Sequence, residues 1–276
     1  MTPAQLSRTV RLALRDAVAA GQLPEPAGLP DRVTLRRPPR GDADYASNLA
    51  LRLAPLMDRP APRIAAVLRD RLSADPGIDR VEVAGAGFLN ITVGAGARTA
   101  VVRELLARPR PAAPAEDPAA DAARWSAVTG TPVTYERRVS SPLFQVQYAH
   151  ARARSLVRNA ADLGLRPEPG PGTAPAEETL TALLAETARR ADALGQAARP
   201  HQAARPSRAV TPAALARLLQ QTAAAFFDVH DAHPPLPRGD EKPTAAHRAR
   251  LALAEATGVV LAGGLSQLGI SAPDHL

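Results

Sequence analysis

Apolar positions in this chain change their period near its middle. Residues 3 to 20 place Leu6, Val10, Ala13, Leu14 and Ala17 on one stripe and stop at Gly21, which predicts a first helix. Val33 and Leu35 then alternate with charged neighbours, the period of a half-buried strand, ahead of the loop PPRGDAD. Two more helices are expected at 45 to 57, with Leu49, Leu53 and Leu56 inward, and at 62 to 73, with Ile64, Leu68 and Leu72 inward. IDRVEVAGAGFLNITV reads as two strands, with Val81 and Val83 in one and Phe88, Ile91 and Val93 in the other, joined through Gly85 and Gly87. A helix over about 96 to 107 completes the unit.

Beyond this point strand signals almost vanish. RPRPAAPAEDPAA, 108 to 120, is too poor in apolar residues to fold alone and reads as a linker. Helical patterns follow at about 143 to 164, 176 to 197, 211 to 232 and 244 to 268, separated by Pro-rich stretches. The expected fold is an N-terminal α+β domain, 1–107, with a small, mostly antiparallel sheet and helices, then a linker, 108–120, and an all-α bundle, 121–276.

Composition narrows the function. The net charge is +7 and Lys242 is the lone lysine, so the excess is arginine. Such a balance points to a polyanionic partner, although a coding bias toward Arg, Ala and Pro would produce it too. Without cysteine there is no disulfide framework, thiolate metal site or cysteine nucleophile. The first residues form an amphipathic segment carrying Asp16, unlike an apolar signal, and no uninterrupted apolar run is expected to span a bilayer. The expectation is a cytoplasmic protein with no membrane partner.

Candidate chemistry is sparse. GAGFLN lacks the third glycine of a dinucleotide fingerprint and runs into a strand, and no GxxxxGK[ST] loop is present. His230 and His233 lie three apart near a helix end, but only Asp228 and Asp231 stand near enough to complete a metal site, and the better reading is a solvent-facing helix end. No catalytic residue, metal or cofactor is expected. Arginines cluster at Arg36, Arg37 and Arg40, at Arg152, Arg154 and Arg158, and at Arg189 and Arg190. Arg154 and Arg158 share one helix face, where like charges repel unless an anion relieves them, which favours phosphate contact.

GDADYASNLALRLA at 41 to 54 and VEVAGAGFLNITV at 81 to 93 resemble the N-terminal additional domain of arginyl-tRNA synthetases. SPLFQVQYAHARARSLVRNA at 141 to 160 and the stretch RLALAEATGVVLAGGLSQLGISAPDHL are similar to that family's helical anticodon-binding domain, the DALR domain. DAARWSAV at 121 to 128 resembles the segment that ends the family's catalytic domain. The resemblance implies that Phe88 and Asn90 contact the tRNA D-loop, and that Tyr148 and Arg152 lie against the anticodon stem-loop. Arg36, Arg37, Arg40, Arg154 and Arg158 are candidate phosphate contacts.

The chain also departs from the family. Between Val93 and Trp125 there is no room for an ATP-binding domain, and neither HIGH nor KMSKS occurs. His230 and Pro234 stand where the family has a tyrosine and an arginine, and Leu276 replaces a methionine. The resulting expectation is a non-catalytic tRNA-binding protein whose partner is arginine tRNA, acting beside a full-length synthetase or another tRNA-using enzyme. The alternatives are the trans-acting part of a split arginine-tRNA ligase and a protein-interaction module that has lost RNA.

Overall fold

The computed structural model describes residues 3–26, 33–36, 38, 41–109, 114–138, 140–172, 174–197 and 211–276. It divides into two compact units, Met1–Ala100 and Val101–Leu276. Each has its own apolar core.

The first unit is α+β. Helix α1, Pro3–Ala19, buries Leu6, Val10, Ala13, Leu14 and Ala17, and ends before Gly21 at φ 66°. Strands β1 (Leu35–Arg36), β2 (Tyr45–Ser47), β3 (Ile78–Ala84) and β4 (Phe88–Val93) form an antiparallel sheet in the order β1-β2-β4-β3. Helices α2 (Leu49–Met57) and α3 (Ala61–Leu72) cover one face, with Leu49, Leu53, Ile64, Leu68 and Leu72 in the core.

Two expectations are corrected here. Residues 45–47, read as the start of a helix, form β2, because Tyr45 pairs with Ile91 and Ser47 with Leu89 while both side chains are buried. Leu56, read as inward, is 45% exposed. The buried set of α2 is Leu49, Ala50, Leu53 and Met57, a stripe centred slightly further round the helix, which leaves Leu56 at its edge. The alternation of β4 is also settled: Leu89, Ile91 and Val93 enter the core, and Phe88 has the opposite parity.

Helix α4, Ala95–Leu106, starts in the first unit, and its Val101, Val102 and Leu105 belong to the core of the second. Of the stretch read as a linker, 110–113 lie outside the described residues, 114–117 have no regular structure, and 118–120 open a helix. That helix, α5, Pro118–Thr129, is joined by α6 (Pro142–Asp162), α7 (Pro175–Ala197), α8 (Pro212–Ala232) and α9 (Ala245–Gln267) in an all-α bundle. The starts are written in dipeptides. Asp117, Ser141 and Thr211 each accept a backbone N–H with their side chain, and each precedes a proline whose fixed φ suits the first helical position.

Helix α9 is long and apolar enough to cross a membrane by length and composition, but Glu255 interrupts its apolar run and most of that stretch is buried inside the bundle. Its Gly264 lets it close on α8, since a Cβ there would stand 2.5 Å from Leu219.

Gly87 positions the outward residues of β4. Its φ is +123°, and an added Cβ would stand 3.0 Å from the backbone of Ala61 at the start of α3. Gly87→Ala is therefore expected to cost the first unit about 1–3 kcal/mol, read as a lower chemical-denaturation midpoint by a probe within residues 1–100. An unchanged midpoint would show that the turn is not held against α3.

Candidate RNA-facing surfaces

Each unit presents a distinct surface. In the first, the β4 residues of outward parity include Phe88, 43% exposed, and Asn90, partly exposed, two positions apart on the sheet face opposite the core. Strand register carries this face sideways: Arg36 pairs with Ala46, Ala46 with Asn90, and Asn90 with Glu82. Arg36 thus lies in the same row as Asn90, two strands away, with small Ala46 between them. Arg37 and Arg40 lie outside the described residues. Asp44 secures the far end of β4, accepting the Val93 N–H at 2.9 Å and a bond from Arg98 at 3.3 Å.

In the second unit, α6 divides the QYAHAR motif between two faces. Gln147, His150 and Arg154 turn toward the residues that follow α9. The carboxylate of Asp121, buried on α5, accepts the Ser271 N–H at 3.1 Å and the Ser271 hydroxyl. Gln147 donates to both Asp121 (3.4 Å) and the Ser271 carbonyl (3.0 Å). His150 bridges the Gly258 carbonyl (3.0 Å) and Asp274 (3.2 Å). Arg154 donates to Asp274 at 3.2 Å, and Arg158 to the Asp274 carbonyl. The anion that Arg154 calls for is therefore supplied by this chain itself, while Arg158 is engaged by a backbone carbonyl and the His275 ring. Arg189 and Arg190 are similarly satisfied, both by Glu186.

Tyr148 and Arg152 face the other way. Phe144 stacks on Tyr148 with centroids 5.6 Å apart and planes at 11°, and Tyr148 stacks on Phe227 of α8 at 5.5 Å and 20°. Phe226 and His230 continue the row at 5.4 Å and 6.0 Å in tilted contacts. Tyr148, the central ring of this row, is nonetheless 44% exposed. One turn further along α6, Arg152 directs Nε and Nη2 at His230 Nε2, both at 3.3 Å. Because that nitrogen accepts, the ring proton lies on Nδ1, which meets Asp231 Oδ1 at 3.0 Å. Among the described residues Arg152 has no carboxylate partner, so its charge is uncompensated.

Family likeness points to Tyr148 and Arg152 but not to Phe144 or Phe227, which complete the ladder. Phe144 was available as the position four before Tyr148; Phe227 depends on how α8 packs on α6. His230, met in the sequence as a departure or as half of a metal pair, serves Arg152 and Asp231. No group of three His, Asp or Glu side chains is placed to hold a metal among the described residues.

Comparison with known proteins assigns both units. The family model for the arginyl tRNA synthetase N terminal domain matches residues 4–93, and that for the DALR anticodon binding domain matches 146–276. Among curated relatives, an arginine–tRNA ligase of Frankia alni is 38% identical over 166 residues, covering 56% of this chain and 29% of that protein. One of Kineococcus radiotolerans is 42% identical over 108 residues, covering 38% of this chain and 20% of that protein. The chain therefore spans less than a third of the length of either relative. Among solved structures, Thermus thermophilus arginyl-tRNA synthetase aligns with a TM-score of 0.42 at 24% identity, covering 67% of this chain and 33% of that one.

The α+β unit followed by the helical bundle is thus the tRNA-related part of an aminoacyl-tRNA synthetase architecture. More narrowly, the two matches take up most of the chain in the family's order, and the chain belongs to the arginyl-tRNA synthetase family. Residues 94–145, all that separates the two matches, are too few for a doubly wound ATP-binding domain, which takes well over roughly a hundred.

The contacts around Asp274 give the bundle an acid-sensitive seam. Burial holds the His150 pKa below its usual 6.5, outweighing the Gly258 and Asp274 hydrogen bonds. For Asp274 burial pushes upward, but the charge and hydrogen bond of Arg154 outweigh it and keep the pKa below 3.8. Both folded-state values are depressed, so as the pH falls the unfolded chain takes up each proton first. Stability is expected to decline below pH 6.5 through His150, and again below 3.8 through Asp274. Urea midpoints at about pH 7.5 and 5.5 test the first window: the parent should lose stability between them, and His150→Asn should lose less. Equal losses would remove His150 from this role.

Proposed function

We propose that this chain binds arginine tRNA without activating arginine, through Phe88 and Asn90 at the D-loop and through Tyr148 and Arg152 at the anticodon stem-loop. The observation that carries the reading is the ladder of Phe144, Tyr148 and Phe227, whose central ring stays 44% exposed and lies one turn from an arginine with no carboxylate partner. An unpaired base can pack against the exposed part of such a ladder, and the phosphate backbone beside it carries the counter-charge that Arg152 lacks. On the sheet, the exposed ring of Phe88 offers a second stacking platform, and the Asn90 amide can read a base edge. Arg36, with Arg37 and Arg40 near it in sequence, would supply phosphate contacts there. Arg154 and Arg158, engaged with Asp274 and its neighbour, would be weaker ones.

Two weak contacts on one tRNA reinforce each other, so the full chain would bind more tightly than either surface alone. Such a protein would deliver or protect arginine tRNA, or act beside a full-length synthetase or another tRNA-using enzyme.

Gel-shift titrations with arginine tRNA and an unrelated tRNA, at two salt concentrations, test the reading. The expected result is preference for arginine tRNA and affinity that falls with salt. Tyr148→Ala should weaken binding by about 1–3 kcal/mol. Phe88→Ala and Asn90→Ala should weaken it and narrow the gap between the two tRNAs, and Arg152→Ala should weaken both tRNAs alike and lower the salt slope by about one. No shift at low salt would sink the proposal and leave a protein-interaction module as the better account.

A further inference from the structure

His230 is the ladder residue whose chemistry stacking leaves unexplained. Its ring touches Phe226, but its two nitrogens are committed elsewhere: Nε2 accepts from Arg152 Nε and Nη2, and Nδ1 meets Asp231. The contrast along α6 is informative. Arg154 is held by the Asp274 carboxylate, which fixes the guanidinium and also cancels its charge. Arg152 is held by a neutral imidazole nitrogen, which restrains its direction and leaves its full charge for another group. Both N–H groups converge on one lone pair and, among the described residues, leave Nη1 uncommitted.

We infer that His230 is the positioning residue for Arg152: Asp231 holds the ring in the Nδ1–H tautomer, Nε2 steers the guanidinium, and Nη1 is presented to one phosphodiester beside the exposed ring of Tyr148. The charged and titratable groups around the ring are Arg152 from α6 and Asp231 on its own helix. His233 and Arg250, the latter paired with Glu177, line the small groove on its other side. This inference rests on the reading of the ladder as an RNA-facing surface, and its test separates the two.

The experiment is a binding titration of the full chain with in-vitro-transcribed arginine tRNA, beside a thermal melt of each variant. Arg152→Ala is expected to weaken binding about tenfold. His230→Phe, which keeps a ring against Phe226 but removes the acceptor, should weaken it by a similar factor of about ten with little change in melting temperature. The double variant should be no weaker than Arg152→Ala alone, because His230 acts through Arg152. His230→Gln, whose side-chain oxygen can replace Nε2 as acceptor, should stay within about twofold of the parent. If Arg152→Ala binds like the parent, the RNA-facing reading of this surface fails. If Arg152→Ala is weak but His230→Phe binds like the parent, or the two losses add, only the positioning role is overturned. A measurement on the folded parent covers the case in which His230→Phe does not fold: imidazole nitrogen shifts at about pH 8 should report the Nδ1–H tautomer, moving toward Nε2–H in Asp231→Ala. An Nε2–H ring in the parent would overturn the inference.

Discussion

Asp121 sits almost wholly buried at the start of α5, where an unpartnered carboxylate would cost several kcal/mol. Its oxygens are instead filled by the Ser271 N–H, the Ser271 hydroxyl and the Gln147 amide, with Arg124 at 3.7 Å from its edge. Three stretches far apart in sequence are joined at this one group. The segment after α9 is laid across α6, Asp274 reaches His150 and Arg154, and the rotation of α6 about its axis is set. Because Gln147, His150 and Arg154 turn inward to these contacts, the helical period brings Phe144, Tyr148 and Arg152 to the opposite side.

That division separates arginines that look alike in sequence. Arg154 and Arg158 brace the segment after α9, and Arg189 and Arg190 share Glu186. Arg152, two residues from Arg154, is the one held by a ring nitrogen at the end of an aromatic ladder. Charge alone could not rank these residues; the ranking comes from what each guanidinium already touches.

Much of the architecture was legible in the chain. The stripes of Leu6, Val10 and Leu14 and of Ile64, Leu68 and Leu72 identify their helices, and GAG between alternating apolar runs identifies the β3–β4 hairpin. Strand β2 was not legible: YAS is too short to show a period and becomes a strand by pairing with β4. Helix α5 offers one large apolar residue, Trp125, among alanines, so hydropathy does not announce it, although Asp117 before Pro118 is a start signal. At the site, Phe88, Asn90, Tyr148 and Arg152 were reached through family likeness. Phe227 and the true partners of His230 come from the packing of α8 on α6, which no spacing along the chain encodes.

The central claim, that the ladder is where this chain meets RNA, is tested most directly by chemical footprinting of arginine tRNA bound to the full protein. The expected result is protection of anticodon-loop nucleotides that disappears with Tyr148→Ala, while protection elsewhere on the tRNA persists. Protection that leaves the anticodon loop untouched, or that Tyr148→Ala does not alter, would contradict the account.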